Sequence, residues 1–195
     1  MSTRGFIGMH RNGETRLTYN HSDSYPSWLG EKTLNYIRRS NVEADAEKYF
    51  ALPIVSEDIP PTPEQAEDLK ARGYWKNVSD GSASTIAVGY PGVTVAANFS
   101  ARARDWYSLL RDAQGDIEDQ IEAGYLLTIG NNVLTEKDIF IEWGYVIDVD
   151  AKELVVYEGQ SNGPAIVARF PFDQIKSEGF DIDQAVSTLE PNTDD

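Results

Sequence analysis

The length, composition and charge of the chain limit its organisation. With 195 residues, 41% of them hydrophobic, it is long enough for one sizeable core and too short to require two domains, so we expect one domain over residues 1–190 and an acidic frayed tail at 191–195. Its 17 basic and 32 acidic residues give a net charge of −15, which argues against a nucleic-acid partner because phosphate binding needs clustered Lys and Arg. The absence of cysteine excludes disulfides and thiolate chemistry. No apolar run has the pattern of a signal peptide or the length of a membrane span, so we expect a cytoplasmic protein.

The N-terminal segment has the pattern of a β-hairpin. Two β-prone runs, residues 3–10 and 15–20, flank Asn12-Gly13, a pair that supplies the positive φ angles of a tight primed turn. Gly5 and Gly8 lie inside the first run, where glycine indicates that another backbone or a ligand approaches closely.

The next loop carries the densest set of functional side chains in the sequence. Residues 19–30 read Tyr-Asn-His-Ser-Asp-Ser-Tyr-Pro-Ser-Trp-Leu-Gly and join a predicted strand to a predicted helix, a position that often carries binding groups. Two interpretations stay open. Either His21, Asp23 and Tyr25 form a binding surface, or the Asp and Ser side chains bond nearby backbone groups while Pro26 fixes a bend and the Trp-Leu pair fills a core.

Helical patterns follow this loop. Apolar positions at three- and four-residue spacing predict a short helix over residues 30–38, and a second helix is expected over residues 42–49. After a proline-rich connector, Thr62-Pro63-Glu64 has the N-cap, first-turn proline and early acid of a helix that runs to about Arg72. Residues 73–100 are typical of irregular chain or short strands.

The strongest helical pattern extends from Ala103 to about Ala123. Apolar residues return on one face at the helical period, which is most simply a core stripe: Trp106, Leu109, Leu110, Ala113, Ile117 and Ile121. Four aspartates fall on an adjacent face, within about 60° of one another: Asp105, Asp112, Asp116 and Asp119. Like charges so placed repel. Solvation is the simpler interpretation, and a site for a hard cation such as Mg²⁺ is the alternative.

The last third of the chain is β-rich. Residues 139–147 alternate in a way that predicts a central strand buried on both faces, and two further strands are expected over 154–157 and 165–170. Glu142 is the exception in the first strand, because a carboxylate among apolar neighbours is paired, lies at a solvated strand end, or is functional. Asp148-Val-Asp150 has the spacing of half a calcium loop but lacks the remaining ligands and the glycine, which indicates a turn.

Together these patterns predict an α+β fold. The N-terminal hairpin and the C-terminal antiparallel strands are expected to form one sheet, accompanied by helices that include a long central amphipathic one.

Three motifs resemble those of a family of uncharacterised proteins found in bacteria and in actinobacterial phages. They are Tyr19-Asn-His-x-Asp-Ser-Tyr-Pro26, preceded by Arg4-Gly5 and followed by Leu29-Gly30; Asp105-Trp-Tyr-x-Leu-Leu-Arg-x-Ala-Gln-Gly-Asp116; and Glu142-Trp-Gly-Tyr-Val-Ile-Asp148. The resemblance implies a bacterial or phage-infected cytoplasm as the setting, and it implies no reaction.

Our first functional hypothesis is a binding protein for a small polar, nucleotide-like ligand, serving in a phage as a counter-defence or host-modulating factor. Aromatic side chains would stack on a base, and arginines would pair with phosphate. The proposed ligand-binding residues are drawn from all three motifs: Arg4, Tyr19, His21, Asp23, Tyr25, Trp106, Arg111, Gln114, Glu142 and Trp143.

Two alternatives belong to other functional classes. Removal of Met1 would leave Ser2 as the nucleophile of an N-terminal-nucleophile hydrolase, with His21 or Asp23 to orient it. A variant of this enzyme hypothesis is a Mg²⁺-dependent phosphoesterase that uses His21, Asp23 and the four aspartates of the central helix. The other alternative is an acidic protein-interaction module that inhibits a host protein with a basic surface. A homodimer is compatible with each hypothesis.

Overall fold

The structure is a computed structural model that describes residues 3–56, 60–74, 106, 110, 113–128 and 140–188. The strands in this part of the chain are β1 (Gly5–Arg11), β2 (Glu14–Asn20), β3 (Ile54–Ser56), β4 (Leu126–Thr128), β5 (Trp143–Asp148), β6 (Glu153–Glu158) and β7 (Ala165–Pro171). The helices are α1 (Glu31–Arg39), α2 (Val42–Ala51), α3 (Pro63–Ala71), α4 (Ile117–Ala123), α5 (Phe172–Ile175) and α6 (Ile182–Ser187), and a single π-helical turn, Pro26–Gly30, precedes α1. We call this last element the π turn.

A mixed five-stranded sheet organises the fold. Its order is β2-β1-β5-β6-β7, so β1 pairs antiparallel with β2 and parallel with β5, while β6 pairs antiparallel with both β5 and β7. The hairpin turns at Asn12 and Gly13, whose φ angles are 52° and 76°. The predicted α+β fold, in which the hairpin and the C-terminal strands share one sheet, is therefore confirmed.

Close backbone approach explains the glycines of β1, as the sequence predicts. A Cβ added at Gly8 would lie 2.0 Å from the carbonyl oxygen of Arg16, and one at Gly5 would lie 2.5 Å from the carbonyl oxygen of Trp143. These two positions let β1 sit tightly between its neighbours and the loop that follows β2.

Five of the described helices cover one face of the five-stranded sheet. On this face Ile7, Met9, Tyr145 and Ile147 join apolar side chains of α1, α2, α4, α5 and α6 in the largest core cluster. A smaller cluster lies on the opposite face and contains Phe6, Leu17, Tyr19, Ile141, Val146 and Val155. Both faces of β1 and β5 are thus buried, which agrees with the apolar character of these strands.

A second, two-stranded sheet forms from segments that the sequence did not predict as strands. Residues 54–56 and 126–128 pair in parallel as β3 and β4. Nearby, α3 begins with the predicted N-cap: the Thr62 hydroxyl accepts from the Gln65 amide at 3.3 Å, and the Gln65 side chain accepts from the Thr62 amide at 2.8 Å. This reciprocal pair satisfies two of the free amides at the helix start.

The predicted uninterrupted helix from Ala103 to Ala123 is wrong at residues 113–116. The Trp106 carbonyl accepts from the Leu110 amide at 2.9 Å, as in a helix, but Gly115 has a φ of 67° and Asp116 is extended. The Asp116 side chain accepts from the Asp119 amide at 3.0 Å and caps a new helix, α4. The periodicity continues across the break because both segments bury apolar side chains.

The predicted strand over residues 139–147 is shorter than expected. The strand begins at Trp143, and Glu142 lies exposed just before it, while Ile139 lies outside the described residues. Glu142 thus lies at an exposed strand end, which is one of its interpretations, and its carboxylate also accepts from the Arg4 amide. Its functional interpretation stays a prediction.

Across the described residues, no helix has the length and apolar character needed to cross a membrane.

Candidate functional site

Buried hydrogen bonds fix the loop between β2 and the π turn to the sheet. Ser24 is fully buried; its amide donates to the Thr3 carbonyl at 3.2 Å, and its carbonyl accepts from the Tyr145 hydroxyl at 3.0 Å. The Asn20 side-chain amide donates to the Ser24 hydroxyl at 2.8 Å. Ser24 therefore anchors the loop, but through its backbone and a bond to the Asn20 side chain, not through the side-chain bond to a backbone group that the structural interpretation expects.

The same anchoring presents the neighbouring side chains to solvent. His21, Asp23 and Tyr25 are all exposed, and Asp23 adopts a left-handed φ of 57°, which Asp tolerates better than most residues. His21 directly follows β2, and its Nδ1 is 3.1 Å from the hydroxyl of the buried Tyr19. Side chains on both sides of Ser24 thus point outward from a rigid support.

A cleft of about 450 Å³ lies beside this loop, between the π turn, the adjoining ends of β5 and β6, and α6. Its described lining consists of Tyr25, Pro26, Ser27, Trp143, Glu158, Asp183, Val186 and Ser187. We call it the π-turn cleft. Two of the predicted ligand-binding residues, Tyr25 and Trp143, meet there although they are far apart in the sequence.

The residues beneath the π-turn cleft are close-packed and apolar. Gly30, the last residue of the π turn, lies against the Tyr145 ring and Ile182 of α6, so that an added Cβ would be 3.0 Å from the ring. Burial raises the pKa of the Tyr145 phenol, and the negative charge of Asp183 adds to the increase. The π turn, β5 and α6 therefore hold one another in place under the cleft.

The chemistry of the π-turn cleft combines aromatic faces with negative charge. Tyr25 is 44% exposed and Trp143 is half-buried, and the carboxylates of Glu158 and Asp183 are exposed. None of the described lining residues is basic. This combination favours a ligand with a cationic group, since the π faces of aromatic rings and carboxylates both attract cations.

No protein-family model matches the chain, and no characterised protein or solved structure shows significant similarity to it. The arrangement of the side chains is therefore the basis for an inference about function.

The other predicted binding residues of the described chain do not line the π-turn cleft. Arg4 and Glu142 bond each other through the backbone of Arg4: the Glu142 amide donates to the Arg4 carbonyl at 2.9 Å, and the Arg4 amide donates to the Glu142 side-chain carboxylate at 3.0 Å. Trp106 is buried, with its ring centroid 4.6 Å from that of Tyr125, in a cluster with α3. These contacts give the Arg4 backbone, Glu142 and Trp106 structural roles, and the roles of the three side chains in ligand binding stay predictions.

Gln114 lies in the turn that breaks the predicted helix. It is half-buried, and its side-chain Nε2 is buried without a hydrogen-bond partner among the described residues. The adjacent Gly115 packs against the Asn20 side chain, so this turn supports the same loop that Ser24 anchors. Arg111 and Ser2 lie outside the described residues.

The aspartate stripe is divided by the break in the helix. Asp105 and Asp112 lie outside the described residues, whereas Asp116 caps α4 and forms an ion pair with Lys32 at 3.0 Å. Burial raises the pKa of Asp119, and the nearby Asp116 charge adds to the increase. The predicted repulsion between aspartates is thus present at Asp119, whereas the charge of Asp116 is neutralised by its ion pair with Lys32 of α1.

Sequence reasoning missed Glu158 and Asp183 in the π-turn cleft. A signal for Glu158 was available, because the β5–β6 hairpin places Asp148 opposite Glu153 and therefore Trp143 opposite Glu158. Asp183 follows the N-cap residue Asp181, which marks the start of α6. The docking of α6 on the π turn has no comparable local signal.

Proposed function

We propose that the chain is a binding protein for a small polar ligand, and that the ligand carries an amine or another cationic group. The observation that supports this proposal is the π-turn cleft, in which Tyr25 and Trp143 lie with Glu158 and Asp183. The cleft volume of about 450 Å³ falls within the usual range for small-molecule sites.

Several interactions would contribute to the affinity for such a ligand. A cation over an aromatic face gains about 0.5–1 kcal/mol at an exposed site and about 2 when it is desolvated. Two carboxylates add Coulombic attraction, and the chain's net charge of −15 attracts cations from solution. The hydroxyls of Ser27 and Ser187 can accept hydrogen bonds from an ammonium group.

The nucleotide-like ligand of the sequence-based hypothesis stays a prediction. It relies on Arg4 or Arg111 to pair with phosphate, and Arg4 does not line the cleft while Arg111 lies outside the described residues. The carboxylates of the cleft would repel a phosphate, which is why we favour a cationic ligand.

Calorimetric titration with spermidine, choline and ATP tests the proposal. We expect a cation to bind and ATP not to bind, with affinity falling as salt is raised because the attraction is partly screened. Glu158→Gln and Asp183→Asn should each weaken binding by roughly tenfold, which is the loss of about 1.4 kcal/mol. Asp173→Asn, which removes an exposed charge on α5, is the matched control and should bind as the unmodified chain does.

Two results would count against the proposal. One is the absence of binding by any of the cations at millimolar concentration. The other is equal affinity in Glu158→Gln, Asp183→Asn and the control, which would assign the attraction to net charge alone. Native mass spectrometry of the protein purified from a bacterial host would show a ligand that is retained from the cell.

Exposed aromatic residues favour a protein partner as the second candidate. Trp28 of the π turn is 67% exposed, beside Tyr25 at 44%, and tryptophan and tyrosine are enriched at the centres of interfaces. A lysine or arginine of a host protein could then occupy the cleft while Trp28 packs on the surrounding surface. Trp28→Ser should abolish binding of such a partner and leave spermidine binding unchanged, which separates the two candidates.

The remaining expectations stay predictions. The hydrolase hypothesis depends on Ser2, and measurement of the intact mass tests it, because retained Met1 would leave no free Ser2 amine. The bacterial or phage-infected setting, the host-modulating role and the homodimer follow from the resemblance or from general considerations, and they extend the binding proposal without supporting it.

A further inference from the structure

A second set of polar side chains lies at the opposite end of β1 and β5 from the π-turn cleft. One potential ligand atom from each of His10, Asp148 and Asp150 lies within 4.8 Å of the others. We call these three residues the His10 cluster. Gly5 and His10 are five residues apart along β1, or roughly 17 Å at the usual rise of a strand, so the cluster is separate from the proposed ligand site.

The backbone holds the residues of the His10 cluster in place. His10 is directly opposite Asp148 in the parallel β1–β5 ladder, and its carbonyl accepts from the Val149 amide at 2.9 Å. The Asp148 carboxylate accepts from the Ala151 amide at 2.9 Å, and the Asp150 carboxylate accepts from the Asn12 amide at 2.6 Å. Because a carboxylate has about four acceptor positions, both retain capacity for another partner.

The imidazole of His10 is oriented by a residue outside the cluster. Its Nδ1 is 2.8 Å from the hydroxyl of Thr15, which lies across the hairpin, and its Nε2 is 4.0 Å from an Asp150 carboxylate oxygen. When Nδ1 carries the proton and donates it to Thr15, Nε2 presents its lone pair toward the carboxylates. A hydrogen bond of this kind fixes the tautomer and ring orientation of metal-binding histidines.

The charge of the two aspartates is not balanced by a lysine or arginine within the described residues. The basic side chains that follow His10 and Asp150 in the sequence have other partners: Arg11 pairs with Glu47 at 3.4 Å, and Lys152 pairs with Glu43 at 3.7 Å. In this part of the chain, His10 is the one basic side chain recorded within 4.0 Å of either aspartate.

We propose that the His10 cluster binds a divalent transition-metal ion of the Zn²⁺ type. Two ligand atoms that are each about 2.1 Å from a tetrahedral ion lie about 3.4 Å apart, so small side-chain rotations bring the present separations to that value. Imidazole nitrogen distinguishes the site from a Ca²⁺ or Mg²⁺ site, since those ions take oxygen ligands. Three protein ligands leave a position open to water or to another molecule.

Nuclear magnetic resonance provides a direct test, because the chain has only two histidines and no cysteine. Titration with Zn²⁺ should shift the imidazole signals of His10 and leave those of His21 unchanged, and Co²⁺ should broaden the His10 signals selectively. Mg²⁺ at the same concentration should cause no shift at His10. The spermidine titration of the preceding proposal is independent of these signals, so failure of one proposal is distinguishable from failure of the other.

Variants assign the ligands. Measured by calorimetry, His10→Gln should weaken Zn²⁺ binding at least a hundredfold, and Asp148→Asn and Asp150→Asn should each weaken it at least tenfold. Thr15→Val should weaken it by 10- to 100-fold through loss of the imidazole orientation, with Thr15→Ser restoring it. His21→Gln is the control and should bind Zn²⁺ unchanged.

Specific results would overturn the proposal. Shifts at His21 rather than His10, equal binding in His10→Gln, or binding no tighter than about 1 mM, as for weak oxygen-ligand sites, would each show an acidic surface without a specific site. If His10→Gln fails to fold, the two aspartate variants decide the outcome by the same measurement.

Discussion

Replacing Tyr145 by Phe tests whether one buried hydroxyl anchors the loop beside the π-turn cleft. The Tyr145 hydroxyl donates to the carbonyl of the fully buried Ser24 at 3.0 Å, and the Tyr145 ring is itself fully buried. The variant leaves that carbonyl without its partner and without access to water. We expect the free energy of unfolding at neutral pH to fall by about 1–3 kcal/mol, the cost of an unsatisfied buried group.

The pH dependence of this deficit has a definite sign. Burial raises the pKa of Tyr145 in the folded protein, whereas an unfolded tyrosine titrates near pH 10. The stabilisation from the un-ionised phenol is therefore fully present below about pH 10 and is lost above it by about 1.4 kcal/mol per pH unit. The Tyr145→Phe variant does not lose stability in this way. If it is less stable than the unmodified protein by about 2 kcal/mol at neutral pH, the two should become equally stable near pH 11.5.

Urea denaturation followed by tryptophan fluorescence, between roughly pH 8 and pH 11.5, measures both effects. Tyr49→Phe is a matched comparison, because the buried Tyr49 hydroxyl donates to the Arg16 carbonyl at 3.2 Å, away from the loop. Tyr49→Phe should show the same loss of unfolding free energy at neutral pH and the same disappearance of that loss as the pH rises. Only Tyr145→Phe should speed hydrogen exchange of the Ser24 amide. The exposed Tyr25, changed to Phe, should show neither effect.

Two outcomes would refute this reasoning. A Tyr145→Phe deficit below about 0.5 kcal/mol at pH 8 would show that the Ser24 carbonyl finds another partner. A deficit that stays constant to pH 11.5 would show that the phenol ionises in the folded protein as readily as in the unfolded chain.

Three further predictions concern packing and surface charge. Gly8→Ala places a Cβ 2.0 Å from a carbonyl oxygen of β2, so we expect at least about 3 kcal/mol of destabilisation in urea; Gly13→Ala, which meets no atom within 4 Å, should lose only about 1–2 kcal/mol from its positive φ. Because the pKa of Asp119 is raised in the folded protein, Asp119→Asn should stabilise the fold at pH 7 by less than about 1 kcal/mol. The gain should vanish below about pH 3, where the carboxyl is protonated in both the folded and the unfolded chain. A gain of equal size in Glu67→Gln, an exposed control on α3, would assign the effect to net charge. Trp28→Ser should change the melting temperature by less than about 2 °C because the side chain is 67% exposed, and a larger fall would show that the tryptophan packs on the fold.

Local signals predicted most of the secondary structure. The Asn12-Gly13 turn, the Thr62 N-cap and the alternation in the C-terminal strands each depend on residues close in sequence, and each is confirmed. The break at Gly115-Asp116 was missed because apolar periodicity alone was followed across it. A glycine followed by an aspartate is itself the end-and-start signature of two helices, and it could have located the break.

The candidate site was predictable only in part. Tyr25 and Trp143 were selected for their chemistry, and the structure places them in one cleft. Their meeting depends on the parallel pairing of β1 with β5 and on the docking of α6, contacts between distant parts of the chain that no local pattern encodes. Arg4 and Glu142 were selected for charge, yet both of these hydrogen bonds between them use the backbone of Arg4 rather than its guanidinium. Residue type alone does not indicate such a contact.

The central position of β1 has a consequence for how the protein folds during synthesis. Gly5 of β1 pairs with Trp143 of β5, and the hydrogen bonds at the two ends of this pairing join residues 138 positions apart. Long-range pairing of this kind slows folding because a large loop must close first. At a ribosome that adds about 5–20 residues per second, the completed β1–β2 hairpin waits for roughly 6–26 seconds before β5 is made. During that interval one edge of β1 has no strand to pair with, and a nascent chain is then most exposed to aggregation and most in need of a chaperone.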